Sequence, residues 1–201
     1  MNVQIIFPSF LAVKELDIDN KVIEDFCYRK EKECKKIKYL GGWQSSDPFL
    51  DEPEVQPILT AIDRCLVGVQ DMFGFTEEAK PYVANGWINI NNPGNYGLNN
   101  NPPHIHANYL ASAVYYVKAE QKSGDLTLIP PFNSVEYAVP YGSFNRQTIY
   151  NSSRWTVDPV PGKLIIFPSW LMHYVNGNLS QSDRISMAFN IRLPAIVHKD
   201  Y

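Results

Sequence analysis

Three of the four histidines in this 201-residue chain could meet at one metal ion. His104 and His106 flank Ile105, and side chains two apart in an extended segment project to the same side. The pair can therefore converge on one ion if residues 103 to 107 are extended. Pro103 favours this, since proline biases its predecessor away from helical backbone and cannot itself enter a helix interior. His173 supplies a third nitrogen from far along the chain. Imidazole nitrogens suit Fe, Zn, Cu and Ni, and three of them leave coordination positions open for substrate and oxygen. A closed structural zinc site calls for a fourth ligand, usually Cys, and Cys27, Cys34 and Cys65 lie far from these segments. Taken singly, each histidine reads as a loop residue or a satisfied polar group. The combination raises the metal reading without naming the metal.

Arg184 adds a different chemistry. In Arg184-Ile185-Ser186-Met187-Ala188-Phe189-Asn190 the even positions share one face and the odd positions the other. One side of an apolar strand thus presents Arg184, Ser186, Ala188 and Asn190. A guanidinium with a hydroxyl two residues on can grip a carboxylate, the arginine giving a fork and Ser186 one more donor. The bland reading is a solvated face, common in strands of period two. The short step from His173 to Arg184 weighs against it.

The elements that must position these residues divide near residue 80. Before it, Val3 to Phe7 reads as a strand ended by Pro8. Ile18 to Lys38 reads as an amphipathic helix with Asp19 or Asn20 as its cap, and Pro57 to Phe73 as a second helix closed by Gly74. After Pro81 the period becomes two. Trp87 to Asn91 alternates, 91 to 101 is an Asn- and Gly-rich loop, and Leu110 to Val117 is a buried strand. Leu126 to Ile129, part of Ile149 to Val157, Gly162 to Phe167, Leu171 to Val175 and Arg184 to Leu193 follow. Short strands separated by turns describe a mainly β sandwich or barrel with flanking helices. Residues 1–201 then form a single domain, with 1–80 a strand and buttressing helices, and 82–193 the core carrying the site. Asp125 and Asp183 read as turn residues. Trp87 and Asn89 are candidate pocket residues, Trp170 a hydrophobic wall near the metal, and His198 an exposed terminal residue.

Composition sets outer bounds. Hydrophobic residues make up 45% of the chain, enough for one core. Lys and Arg number 18 against 21 Asp and Glu, so nothing points to a phosphate backbone as partner. Three cysteines outside any CxxC pair, without a signal-like N-terminus, imply free thiols and a cytoplasmic setting. No apolar run is long enough to cross a bilayer.

The stretches PHIH, LASAVYYV, PGKLIIFPSWLMHYV and DRISMAFN resemble the iron- and 2-oxoglutarate-dependent oxygenases of the double-stranded β-helix fold, a cupin-like jelly-roll. The likeness is to a group found in bacteria and marine phages, so a phage-encoded member would work in the host's cytoplasm. It covers roughly residues 82 to 193. It implies Fe(II) and 2-oxoglutarate as cofactors, with His104 matching the first metal histidine and His173 the distal one. Arg184 and Ser186 match the grip on the remote carboxylate, and Tyr116 falls where relatives of the prolyl hydroxylase type place a tyrosine that contacts it. The implied reaction is hydroxylation by a dioxygenase. The cosubstrate is a small molecule, and the prime substrate is a small molecule or a protein side chain. Loops 91–103 and 130–148 would border the entrance.

One residue departs from the family's pattern. Where a carboxylate ligand is expected the chain has His106, and a shifted register would offer Asn108 instead. His106 is preferred because it keeps the two-residue spacing with the stronger ligand. Neutral imidazole in place of a carboxylate leaves the iron site one unit more positive. Two alternatives therefore stand beside the 2-oxoglutarate reading. One is a three-histidine dioxygenase that does without 2-oxoglutarate, the other a non-catalytic jelly-roll binding module.

Overall fold

Helical periodicity before residue 80 gives two helices that bury their apolar stripes on one sheet. In the computed structural model, which describes residues 1–34, 37–39, 42–46, 48–94, 101–131, 139–140 and 142–195, α1 spans Asn20–Glu33 and α2 spans Gln56–Phe73. Asp19 caps α1, its carboxylate accepting from the Lys21 N–H at 3.0 Å. Pro57 sits in the first turn of α2, where a missing N–H is harmless. Gly74 ends it at φ 66°, a left-handed conformation that glycine takes without strain. Ile23, Phe26 and Cys27 of α1 and Ile58, Ile62, Leu66 and Val69 of α2 are buried. Each large apolar side chain so buried contributes about 1.5–3 kcal/mol.

The strands are β1 (Ala12–Glu15), β2 (Ile37–Tyr39), β3 (Gly42–Gln44), β4 (Tyr82–Asn91), β5 (Asn101–His104), β6 (Ala111–Lys118), β7 (Leu126–Leu128), β8 (Trp155–Val157), β9 (Lys163–Pro168), β10 (His173–Val175) and β11 (Arg184–Arg192). They form two antiparallel sheets, a seven-stranded one in the order β1-β9-β6-β11-β4-β3-β2 and a four-stranded one in the order β5-β10-β7-β8. This is the mainly β jelly-roll architecture expected, with two helices outside it.

Strand β11 lies at the centre of the large sheet, between β6 and β4. Its odd residues Ile185, Met187, Phe189 and Ile191 join the core under the helices. Its even residues therefore face the small sheet, and Arg184, Ser186, Ala188 and Asn190 are all buried. The solvated-face reading of that side is thus excluded. A second core between the sheets gathers Tyr116, Leu126, Leu128, Val157, Ile165, Phe167 and Leu171. Contacts along α1 tie helix to sheet: Lys118 Nζ donates to Glu24 at 2.8 Å, and the Tyr28 hydroxyl donates to Asp183 at 2.9 Å.

Three local expectations are corrected. Val3 to Phe7 forms no strand, and Val3, Ile5, Ile6 and Phe7 are exposed. The first strand is β1, which pairs with the edge of β9; pairing is decided by a distant partner, which hydrophobicity alone does not reveal. The first helix stops at Glu33, and residues within its expected C-terminal end form β2 instead. Residues 1–80 are consequently more than a buttress, since β1, β2 and β3 extend both sides of the large sheet.

Candidate metal centre and anion pocket

Strands β5 and β10 set two of the histidines face to face. His104 and His173 are register partners in the small sheet, with ring centroids 4.3 Å apart. His106 follows the end of β5 rather than lying within it, and its backbone N–H is held by Ser169 O at 2.9 Å. Its ring nevertheless comes to 5.1 Å from both others. One nitrogen of each ring lies within 4.8 Å of the other two, and no Asp, Glu or Cys joins this cluster among the described residues. His173 is buried, and His104 and His106 are half-buried.

Each ring has its Nδ1 occupied. His104 Nδ1 lies 2.7 Å from Pro102 O and His173 Nδ1 lies 2.9 Å from Leu171 O. A carbonyl oxygen only accepts, so both Nδ1 atoms carry the hydrogen, and in the neutral form of each ring the lone pair is on Nε2. His106 Nδ1 donates to Asn190 Oδ1 at 2.5 Å, with Ser112 Oγ at 3.2 Å. Burial pushes the pKa of His106 down and that of His173 down to about 4. Both are neutral at ordinary pH, the state in which imidazole binds a metal. Trp87 lies against His106 at 5.6 Å and Phe167 meets His173 edge-on at 4.9 Å, fixing the rings from behind. Three imidazole donors with ordered outer hydrogen bonds fit a divalent transition metal.

The same pocket is lined by Arg184, Ser186, Tyr116, Trp87 and Asn89. Arg184 is 2% exposed, and no carboxylate lies within ion-pair distance of it among the described residues. Its Nη1 donates to Ser123 O, Gly124 O and Asn176 O at 2.8, 2.7 and 3.0 Å, and Nη2 donates to Asn91 Oδ1 at 3.0 Å. Burial lowers its pKa to about 10, against the opposing influence of Tyr116 and Asp125, so it stays cationic near neutrality. Nη1 is saturated, which leaves Nε and the rest of Nη2 for a ligand. Tyr116 and Ser186 are direct partners across β6 and β11, and both line the pocket beside Arg184. A buried cation with no acidic partner among the described residues, beside the hydroxyls of Tyr116 and Ser186, fits a carboxylate.

The remaining candidates sort clearly. Asn108 is exposed in a left-handed turn at φ 68° and does not line the pocket. Asn190 bonds His106 from behind instead of lining the pocket. Trp170 is not a wall of the metal site; it is 45% exposed and packs edge-on against Phe73 at the end of α2. Asp183 accepts from Tyr28 and Asn92, and Asp125 from Asn176, as expected of turn residues. His198 and much of the loops 91–103 and 130–148 lie outside the described residues, although Asn101 does line the pocket.

Gly124, next to the turn residue Asp125, shapes the anion pocket. At φ 90° its position would place a Cβ 2.5 Å from Arg184 Nη1 and 2.1 Å from Asn176 O. The bare backbone is what lets the guanidinium reach its carbonyl cradle. Asn178, fully buried, spans the preceding turn by donating to Asn91 O and Ser182 O.

A family model described as "Putative 2OG-Fe(II) oxygenase" matches residues 85–190. The fold is similar to a Pseudomonas putida prolyl-4-hydroxylase (TM-score 0.62, 16% identity, covering 92% of this chain and 93% of that one). It is also similar to the epimerase SnoN in complex with Fe3+, alpha ketoglutarate and nogalamycin RO (TM-score 0.65, 13% identity, 90% and 78%). A third similar structure is the Trichoplax adhaerens prolyl hydroxylase with a hypoxia inducible factor peptide fragment (TM-score 0.58, 14% identity, 90% and 83%). At these identities the likeness shows the fold. No curated protein matches the chain in sequence. Among the described residues no helix is long and apolar enough to cross a membrane.

Proposed function

The chain belongs to the 2OG-Fe(II) oxygenase family, with Fe(II) and 2-oxoglutarate as cofactors, and from that premise we propose a dioxygenase that hydroxylates a C–H bond. In this reading His104, His106 and His173 hold the iron through Nε2, while Arg184, Ser186 and Tyr116 receive the distal carboxylate of 2-oxoglutarate. The observation that carries it is the shared pocket, which combines three converging imidazoles with a buried cation that has no acidic partner among the described residues.

Bound iron supplies oxygen activation, coupled to oxidative decarboxylation of 2-oxoglutarate to succinate and carbon dioxide, with one oxygen atom passing to the substrate. The residues of this chain bind and orient. Arg184 remains protonated and pairs with the carboxylate. Burial raises the Tyr116 pKa, so its hydroxyl remains a donor throughout the working range. Leu126, Phe167, Val175 and Ala188 give the pocket apolar walls that exclude water and strengthen the ion pair. The prolyl hydroxylases and the SnoN epimerase of similar fold act on unlike substrates, which leaves a small molecule and a protein side chain equally open.

Conversion of 2-oxoglutarate to succinate by the Fe(II)-loaded protein in air tests this reading. We expect slow substrate-independent succinate release that disappears in His173→Ala. Oxygen uptake without succinate would instead favour a three-histidine dioxygenase that does not use 2-oxoglutarate.

A further inference from the structure

Asn190 lies on the inner face of β11, in register with Asn85 of β4 and Ser112 of β6. Three small polar side chains thus form one row across the large sheet, opposite His106. Asn190 is only 7% exposed, and an amide so buried is costly unless its hydrogen bonds are made. They are made in one direction. Asn85 Nδ2 donates to the Tyr109 hydroxyl at 2.8 Å, Asn190 Nδ2 donates to Asn85 Oδ1 at 2.8 Å, and His106 Nδ1 donates to Asn190 Oδ1 at 2.5 Å.

The chain of bonds has a consequence for the ring. Because the Asn190 N–H is engaged by Asn85, its oxygen is the atom turned to His106, and an amide oxygen can only accept. His106 is therefore held with hydrogen on Nδ1 and a lone pair on Nε2. His104 and His173 reach the same tautomer through backbone carbonyls that no side-chain substitution removes. His106 has no such carbonyl. It depends on Asn190, with Ser112 Oγ at 3.2 Å a longer contact.

We infer that Asn190, oriented by Asn85 and Tyr109, is a positioning residue that selects the His106 tautomer and ring orientation and so presents Nε2 to the metal. This rests on the reading of His106 as a ligand. The acceptor is a neutral amide, so it fixes the ring without adding negative charge beside the metal. The site then meets its anionic cosubstrate with the ion's charge undiminished by the protein.

The test uses nitrogen-15 NMR of the imidazoles in metal-free protein together with Co(II) titration. Asn190→Leu keeps the size and removes the acceptor, and Asn190→Ser does so with a side chain too short to reach, in case the leucine variant does not fold. Asn190→Asp retains an acceptor, with Asn85 turning its amide to donate. In the leucine or serine variant we expect His106 to shift toward the Nε2–H form while His104 and His173 stay unchanged. Co(II) affinity should fall about 10- to 100-fold, and Asn190→Asp should recover most of it. An unchanged His106 tautomer, or unchanged Co(II) affinity, in the variants without an acceptor overturns the inference. Failure of the ligand reading itself would show separately, as a His106→Ala protein that binds Co(II) as tightly as the parent.

Discussion

His104 and His173 face each other across the β5–β10 ladder, and each donates its Nδ1 hydrogen to the carbonyl two residues before it. The same local device on two neighbouring strands aims two Nε2 lone pairs into one space. It costs no side chain beyond the histidines, because the acceptors are backbone.

The first prediction concerns those ligands. His173→Ala removes the most buried imidazole of the three and should lower Fe(II) or Co(II) affinity by at least 100-fold, measured by anaerobic titration. Gln at the same position should rescue little, since an amide is a poorer ligand than imidazole. Metal affinity within a factor of three of the parent would remove His173 from the site.

Gly124 offers a test of the anion pocket that leaves the metal ligands untouched. Gly124→Ala imposes a Cβ at positive φ, 2.5 Å from Arg184 Nη1, so the guanidinium must move. The backbone strain costs about 1 kcal/mol or more, and 2-oxoglutarate affinity should drop at least tenfold while metal affinity holds. Calorimetry with each ligand separates the two effects; equal losses of both would point to general unfolding.

Tyr28 and Asp183 test the other side of the assignment, that this acid serves the fold. Tyr28→Phe deletes the 2.9 Å bond to Asp183 and should cost about 1–2 kcal/mol in urea unfolding. Metal affinity and succinate production should not change. A loss of metal binding would mean that Asp183 reaches the site after all.

The pH dependence of stability follows from His173. Its folded pKa is lowered from 6.5 to about 4, so between those values the unfolded chain binds more protons than the folded one. Stability present above pH 6.5 is lost as the pH falls toward 4, by about 3 kcal/mol for a shift of this size. Burial lowers the His106 pKa as well and adds to the loss in the same direction. Urea unfolding of metal-free protein from pH 7 to 4, compared with His173→Phe, isolates the contribution. Parallel curves for the two proteins would contradict it.

How much of this was legible beforehand differs by residue. The inward face of Arg184, Ser186, Ala188 and Asn190 could be read from parity, because β11 is regular and its odd positions are uniformly apolar. The histidine cluster could be read from residue type and spacing. What could not be read was what each group leans on: the carbonyl cradle of Arg184 is built by Ser123, Gly124 and Asn176, whose contributions are backbone atoms. Sequence carries no mark for a carbonyl's direction. Asn85 was likewise silent, since its role exists only through the register with Asn190. Val3 to Phe7 misled for a related reason, as an apolar run states a preference for burial and not the partner that would provide it. Trp170 misled because it sits in the turn between β9 and β10, where strand parity does not hold, and packs against Phe73.

The central claim, that one pocket holds Fe(II) on three histidines and 2-oxoglutarate against Arg184, is met most directly by anaerobic titration of the Fe(II)-loaded protein with 2-oxoglutarate. The predicted result is a visible metal-to-ligand charge-transfer band that saturates near one equivalent and requires at least tenfold more 2-oxoglutarate in Arg184→Ala. Iron bound at one equivalent with no such band at any 2-oxoglutarate concentration would contradict it.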